Sequence, residues 1–74
     1  MLLKQIKYMI TAANHGSFRA AALALRVQES AISRHIRDLE QTLGVQLFVR
    51  SSRGIRLTSA GQAFVARAQY ALLQ

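Results

Sequence analysis

Between residues 27 and 43 the apolar positions recur at the spacing of an α-helix. At about 100° per residue, Ile32, Ile36, Leu39 and Leu43 fall in one narrow sector. Ser30, Ser33, Arg34, Arg37 and Gln41 fall on roughly the opposite side. This predicts a helix from about Glu29 to Leu43, ended by Gly44. One face needs a core to lie on, and the other is short, polar and cationic.

The flanking patterns supply that core. Leu3, Ile6, Ile10 and Ala13 recur at 3–4 spacing and predict a first helix from Leu2 to about His15, with these residues inward. Asn14-His15-Gly16 reads as its stop, Gly16 taking the left-handed conformation. Ser17 is a good N-cap for a second helix from Phe18 to about Leu25, with Phe18, Ala21, Ala22 and Leu25 facing in. Arg26-Val27-Gln28 then makes a tight turn into the third helix. A short helix, a turn of three or four residues and a longer helix form a helix-turn-helix.

From Val45 the period changes to two. V-Q-L-F-V-R and I-R-L read as short strands joined by Ser51-Ser52-Arg53-Gly54, a wing whose Leu47, Phe48, Ile55 and Leu57 close the core against the first and third helices. Thr58 caps a last helix beginning at Ser59. Ala60, Phe64, Ala68, Ala71 and Leu72 form its stripe, widened by Val65, Tyr70 and Leu73. So apolar a helix has no partner left inside a small domain, so part of it is expected to pack against a second copy of the chain through Phe64, Ala68, Ala71 and Leu72. The predicted fold is mainly α: a winged helix-turn-helix of three helices plus a two-stranded wing over 1–58, followed over 59–74 by the truncated start of a linker, or dimerisation, helix.

Composition narrows the function. A 74-residue chain that is 51% hydrophobic is one small folded domain, with no room for an enclosed substrate pocket. It has no cysteine, which excludes disulfides and thiolate metal sites. His15 and His35 lie on different elements, and the three acids Glu29, Asp38 and Glu40 all lie on the third helix. No metal site, cofactor or catalytic group is therefore expected; Gly44, Gly54 and Gly61 are isolated and form no phosphate loop. Ten Lys and Arg against three acids give a net charge of +7, and eight of the ten are arginines. Such a balance points to a polyanion, nucleic acid before an anionic membrane. The lysines of M-L-L-K-Q-I-K interrupt any signal-peptide core, and no apolar run is long enough to span a bilayer.

Candidate contacts follow from the polar face. Arg34 can take guanine with both arms of its fork, and Ser33 can reach a base or a phosphate; Arg37 suits a phosphate. Ser17 and Arg19 stand at the second helix's N-terminus, where a cation is unfavourable unless an anion sits there. Arg53, at the wing tip, suits a narrow minor groove.

The run L-x-x-I-x-x-x-I, then G-S-F-x-x-A-A-x-x-L, S-A-I-S-R-x-I-R-D-L-E-x-x-L-G-V-x-L-F-x-R and R-G-I-R-L-T-x-A-G resembles the N-terminal domain of LysR-type transcriptional regulators. The resemblance covers essentially the whole chain. It implies a cytoplasmic, nucleoid-associated bacterial regulator that binds partly palindromic double-stranded operator DNA as a homodimer, with higher oligomers in the full-length protein. It also implies a small-molecule effector bound by a separate C-terminal domain. Ser30, Ser33, Arg34 and Arg37 match the stretch that enters the major groove in that family. Arg50 and Glu40 match the family's R and E and are expected to pair between wing and third helix. Where the family commonly has a small hydroxyl residue and then glutamine, this chain has Gln28 and Glu29; both are expected to face the DNA, while the base preference at Glu29 is left open, since a glutamate can only accept. The rival is a winged helix used for protein–protein contact, which requires an apolar patch on the third helix's outer face.

Overall fold

A computed structural model describes residues 2–73, with the side chains of Leu2, Leu72 and Leu73 left aside. The elements are α1 (Leu2–His15), α2 (Phe18–Leu25), α3 (Glu29–Leu43), β1 (Phe48–Ser51), β2 (Gly54–Leu57) and α4 (Ser59–Leu73). The core is built by Tyr8, Met9 and Ala12 of α1, Phe18, Ala21 and Ala22 of α2, Ile32, Ile36 and Leu39 of α3, and Leu47 and Phe48 at the start of the hairpin. Among the described residues no polar or charged residue is buried. The small side chains of Ala21 and Ala22 let α2 lie close on α3.

The caps form as their residues require. Gly16 takes φ +67 and donates to the Ala12 carbonyl, ending α1. Ser17, extended at φ −162, accepts from the Ala20 amide at 3.1 Å. Thr58 Oγ1 accepts from the Gly61 amide at 2.9 Å and itself donates to the Gln46 carbonyl at 2.6 Å, so one hydroxyl both starts α4 and ties it to the segment before β1. Arg26 ends α2 in the left-handed region at φ 58, a conformation that costs a residue with a Cβ roughly 1–2 kcal/mol.

The structure departs from the periodicity in three places. The inward face of α1 is Tyr8, Met9 and Ala12; Ile6, Ile10 and Ala13 are half-buried and Leu3 is 67% exposed. α1 touches α2, α3, α4 and β2, and the side chains it buries most deeply are not those of its aliphatic stripe. Leu43 is 41% exposed, because α3 runs a turn past the core before Gly44 reverses the chain at φ +73. β1 begins at Phe48 rather than Val45. Leu47 and Phe48 are both buried, at 0% and 6% exposure, which two neighbours on one strand cannot be against a one-sided core. The strands pair antiparallel from Phe48↔Leu57 to Ser51↔Gly54. Ile55 and Leu57 cover the core from β2, and Phe64 and Val65 cover it from α4.

Candidate nucleic-acid interface

The interface starts from the outer face of α3. Ile32, Ile36 and Leu39 point into the core, which turns Ser30, Arg34 and Arg37 out as exposed side chains. The apolar patch required for a protein-docking winged helix is not what this face carries. Gln28, the N-cap of α3, makes no capping hydrogen bond through its side chain; its Oε1 instead lies 3.5 Å from the Ser30 hydroxyl. Ser33 is half-buried on the flank that faces the wing, where its Oγ accepts from Arg50 Nη2 at 3.2 Å.

Arg50 thereby ties the wing to α3, in place of the expected ion pair with Glu40. Its guanidinium lies 4.8 Å over the Phe18 ring, and that ring stands edge-on to Phe48 at 5.6 Å. The cation thus joins β1 to the start of α2 and to the second turn of α3. The expected Glu40–Arg50 pair gives way to other partners. Glu40 Oε2 accepts from the Leu47 amide at 2.7 Å and the Phe48 amide at 3.4 Å. Two backbone donors entering the hairpin hold the carboxylate more closely than a flexible arginine would, and charge-assisted bonds of this kind are the strong ones. Glu40→Ala is expected to cost about 1–3 kcal/mol, because it leaves two part-buried amides without an acceptor; Glu40→Gln, which keeps an acceptor oxygen, should recover most of it. Urea unfolding of the two variants checks this.

The wing is fixed to the same corner. The Ile55 amide donates to the Gly16 carbonyl at 3.1 Å, docking the start of β2 on the α1–α2 turn. Across the wing tip, the Arg53 amide donates to Ser51 Oγ at 3.2 Å, and Arg53 is exposed. Ser17, Arg19, Glu29, Arg50 and Ser51 line one concavity between α2, α3 and the hairpin. The start of α2, the first turn of α3 and the wing therefore share one side of the molecule. Arg34 and Arg37 stand exposed further along the outward face of α3, and the N-terminus of α2, in the concavity, has N–H groups that suit a phosphate.

A family model described as bacterial regulatory helix-turn-helix protein, lysR family, matches residues 3–62. The chain belongs to the LysR family. Among its relatives, the HTH-type transcriptional regulator TfdS of Cupriavidus pinatubonensis is 46% identical over 65 residues, 88% of this chain and 22% of that protein. The transcriptional activator AmpR of Citrobacter freundii is 48% identical over 63 residues, 85% of this chain and 22% of that one. The chain therefore spans about a fifth of the length of these LysR relatives. The CbnR DBD–DNA complex superposes with a TM-score of 0.92 at 46% identity, over 97% of this chain and 83% of that one. The complex of the BenM DBD with benA site 1 DNA gives 0.91 at 35% identity, over 97% and 84%. The LysR winged helix-turn-helix is thus the fold of this chain, and DNA binding is the activity of its domain type.

The remaining positions fall away from that side. His15 is exposed at the end of α1; His35 packs edge-on to Tyr8 at 5.1 Å, with its Nδ1 enclosed and unpartnered among the described residues. Among the described residues no three His, Cys, Asp or Glu gather as a metal site, and no helix is long and apolar enough to cross a membrane. On α4, Phe64 is half-buried and covers this chain's own core, Ala68 is half-buried, Ala71 is exposed, and the side chain of Leu72 lies outside the described residues. The stripe expected to meet a second copy is therefore spent in part within the chain.

Proposed function

We propose that this chain is the DNA-binding part of a bacterial transcriptional regulator, in which α3 enters the major groove and the wing follows the backbone into the adjacent minor groove. One observation carries this: the exposed face of α3 bears Ser30, Arg34 and Arg37 on a fold shared, over nearly its whole length, with domains crystallised on DNA. Arg34 reads a guanine edge, and Ser30, Ser33, Gln28 and Glu29 face the groove beside it. Ser17, Arg19 and Arg37 hold phosphates, and Arg53 lies in the minor groove. These contacts need no catalysis and no cofactor.

Two copies joined through α4, by Phe64, Ala68, Ala71 and Leu72, would present their α3 helices to the half-sites of a partly palindromic operator, about one helical turn or a multiple apart. The exposed remainder of the apolar surface supports this: Leu3 on α1 and Tyr70 on α4 are each 67% exposed. In the whole regulator, response to a small-molecule effector would belong to a separate domain, and the regulator would act in the cytoplasm on the nucleoid.

The test is a fluorescence-anisotropy titration of the chain with a dyad-bearing duplex and its scramble at several salt concentrations. The logarithm of affinity should fall with that of salt by about 0.9 per phosphate contact. Arg34→Ala should remove about 1–3 kcal/mol of preference for the dyad and leave binding to the scramble nearly unchanged. Equal loss on both duplexes would assign Arg34 to the backbone, and no binding at low salt would end the proposal.

A further inference from the structure

The outer side of this domain is strongly cationic, yet its most forward helix begins with an acid. Glu29 is the first residue of α3 and is exposed. It lines the concavity between α2, α3 and the wing together with Ser17, Arg19 and Arg50. Of the three acids in the chain, Glu40 is committed to the Leu47 and Phe48 amides, and Asp38 lies two and a half turns along α3, where about 900° of rotation puts it on the opposite side of the helix from Glu29. At this corner the side-chain hydrogen bonds run from Ala20 to Ser17, from Ser30 to Gln28, from Arg50 to Ser33, from Arg53 to Ser51 and from Ser51 to Gly54. None of them uses the Glu29 carboxylate.

We infer that Glu29 is a specificity-determining residue that selects a cytosine, and hence a C·G pair, in each half-site. The inference rests on the DNA-binding reading above and deepens it. An ionised carboxylate only accepts hydrogen bonds. In the major groove guanine presents two acceptors and thymine an acceptor and a methyl group, so both repel it. Adenine offers its amino group beside the N7 lone pair, which a carboxylate meets unfavourably and which a glutamine would satisfy. Cytosine N4 offers a donor with no acceptor next to it on that base. The position tolerates the charge because the first turn of a helix favours an anion.

Ser33, four residues on, lies on the same flank. Arg50 donates to its oxygen, which leaves the serine proton to be given outward. The flank thus offers an acceptor at Glu29 and a donor at Ser33, a polarity that suits a base amino group and then a base or phosphate acceptor. The acid also has a cost that can be read separately: it repels phosphates, so its removal raises affinity for any duplex at low salt.

The experiment is selection of duplexes from a randomised pool by the 74-residue chain and by its Glu29→Gln and Glu29→Ala variants, each checked for native helix content by circular dichroism. The enriched wild-type pool should carry C·G at one position per half-site, preferred by roughly five- to hundred-fold in titration. Glu29→Gln should move that position to A·T and Glu29→Ala should leave it unselected, both with higher affinity for a scrambled duplex. If all three chains enrich the same sequence, the inference about Glu29 is wrong while the DNA-binding reading stands. If folded wild-type chain enriches and binds nothing even at low salt, both fall.

Discussion

Gly61→Ala is expected to unfold this domain at a markedly lower temperature than the parent, although alanine is the better helix former. Gly61 is buried in the first turn of α4. A Cβ there would overlap the Leu47 carbonyl oxygen and meet Leu57 Cδ2 at 3.0 Å. The obstacle is backbone, and that carbonyl already accepts from the Thr58 amide at 3.0 Å. Moving α4 away would also strain the Thr58 hydroxyl bridge to Gln46. Helix propensity returns about 1 kcal/mol; forced separation and weakened hydrogen bonds cost more. The expected net loss is about 2–4 kcal/mol, a fall in Tm of at least about 10 °C for a domain of this size. A thermal scan followed by circular dichroism checks it, and an unchanged or raised Tm would show that α4 does not depend on this approach.

Gly54→Ala is the second large effect, and it reaches function. Gly54 takes φ +114, a region that residues with a Cβ rarely adopt, and an added Cβ would overlap the Gly16 carbonyl oxygen. That same oxygen accepts from the Ile55 amide and docks the hairpin on the α1–α2 turn. Relief requires the wing to lift. The strain alone is of order 1–3 kcal/mol, and with the docking bond weakened the loss should reach about 2–4 kcal/mol. The displaced turn also carries Arg53. Affinity for duplex DNA should therefore fall by about ten-fold even under conditions where the variant stays folded, and the salt dependence should drop by about the slope of one contact. Urea titration beside a DNA titration separates the two effects; loss of stability with unchanged affinity would remove Arg53 from the interface.

Much of this architecture was legible because it rests on local chemistry. Ile32, Ile36 and Leu39 fix which face of α3 is inward, and hence which face carries Arg34 and Arg37. Ser17 and Thr58 cap the helices they precede, and Gly16 turns where a left-handed residue is needed. What could not be read depends on partners distant in the chain. α1 meets four other elements, α2, α3, α4 and β2, and the aliphatic pattern of Leu3, Ile6 and Ile10 does not reveal that Tyr8, Met9 and Ala12 are the residues they cover. The family resemblance and opposite charge paired Glu40 with Arg50; in the fold, the amides of Leu47 and Phe48 hold the carboxylate, while Ser33 and Phe18 receive the guanidinium. Gly61 looked like any isolated glycine, since the Leu47 carbonyl that forbids a side chain there belongs to a segment fourteen positions away. The consecutive apolar pair Leu47-Phe48 was the one sequence signal that β1 starts later than its β-rich composition implies.

The central claim is that one side of the molecule, made by the start of α2, the outer face of α3 and the wing tip, meets the duplex. The most direct test is to follow the backbone amides of the isotope-labelled chain by NMR while adding duplex from its own upstream region at low salt. The account predicts shifts concentrated at Ser17–Ala20, Glu29–Arg37 and Ser51–Gly54, reversed by added salt. Shifts confined to α1 and α4, or none at all under conditions where the chain is folded, would contradict it.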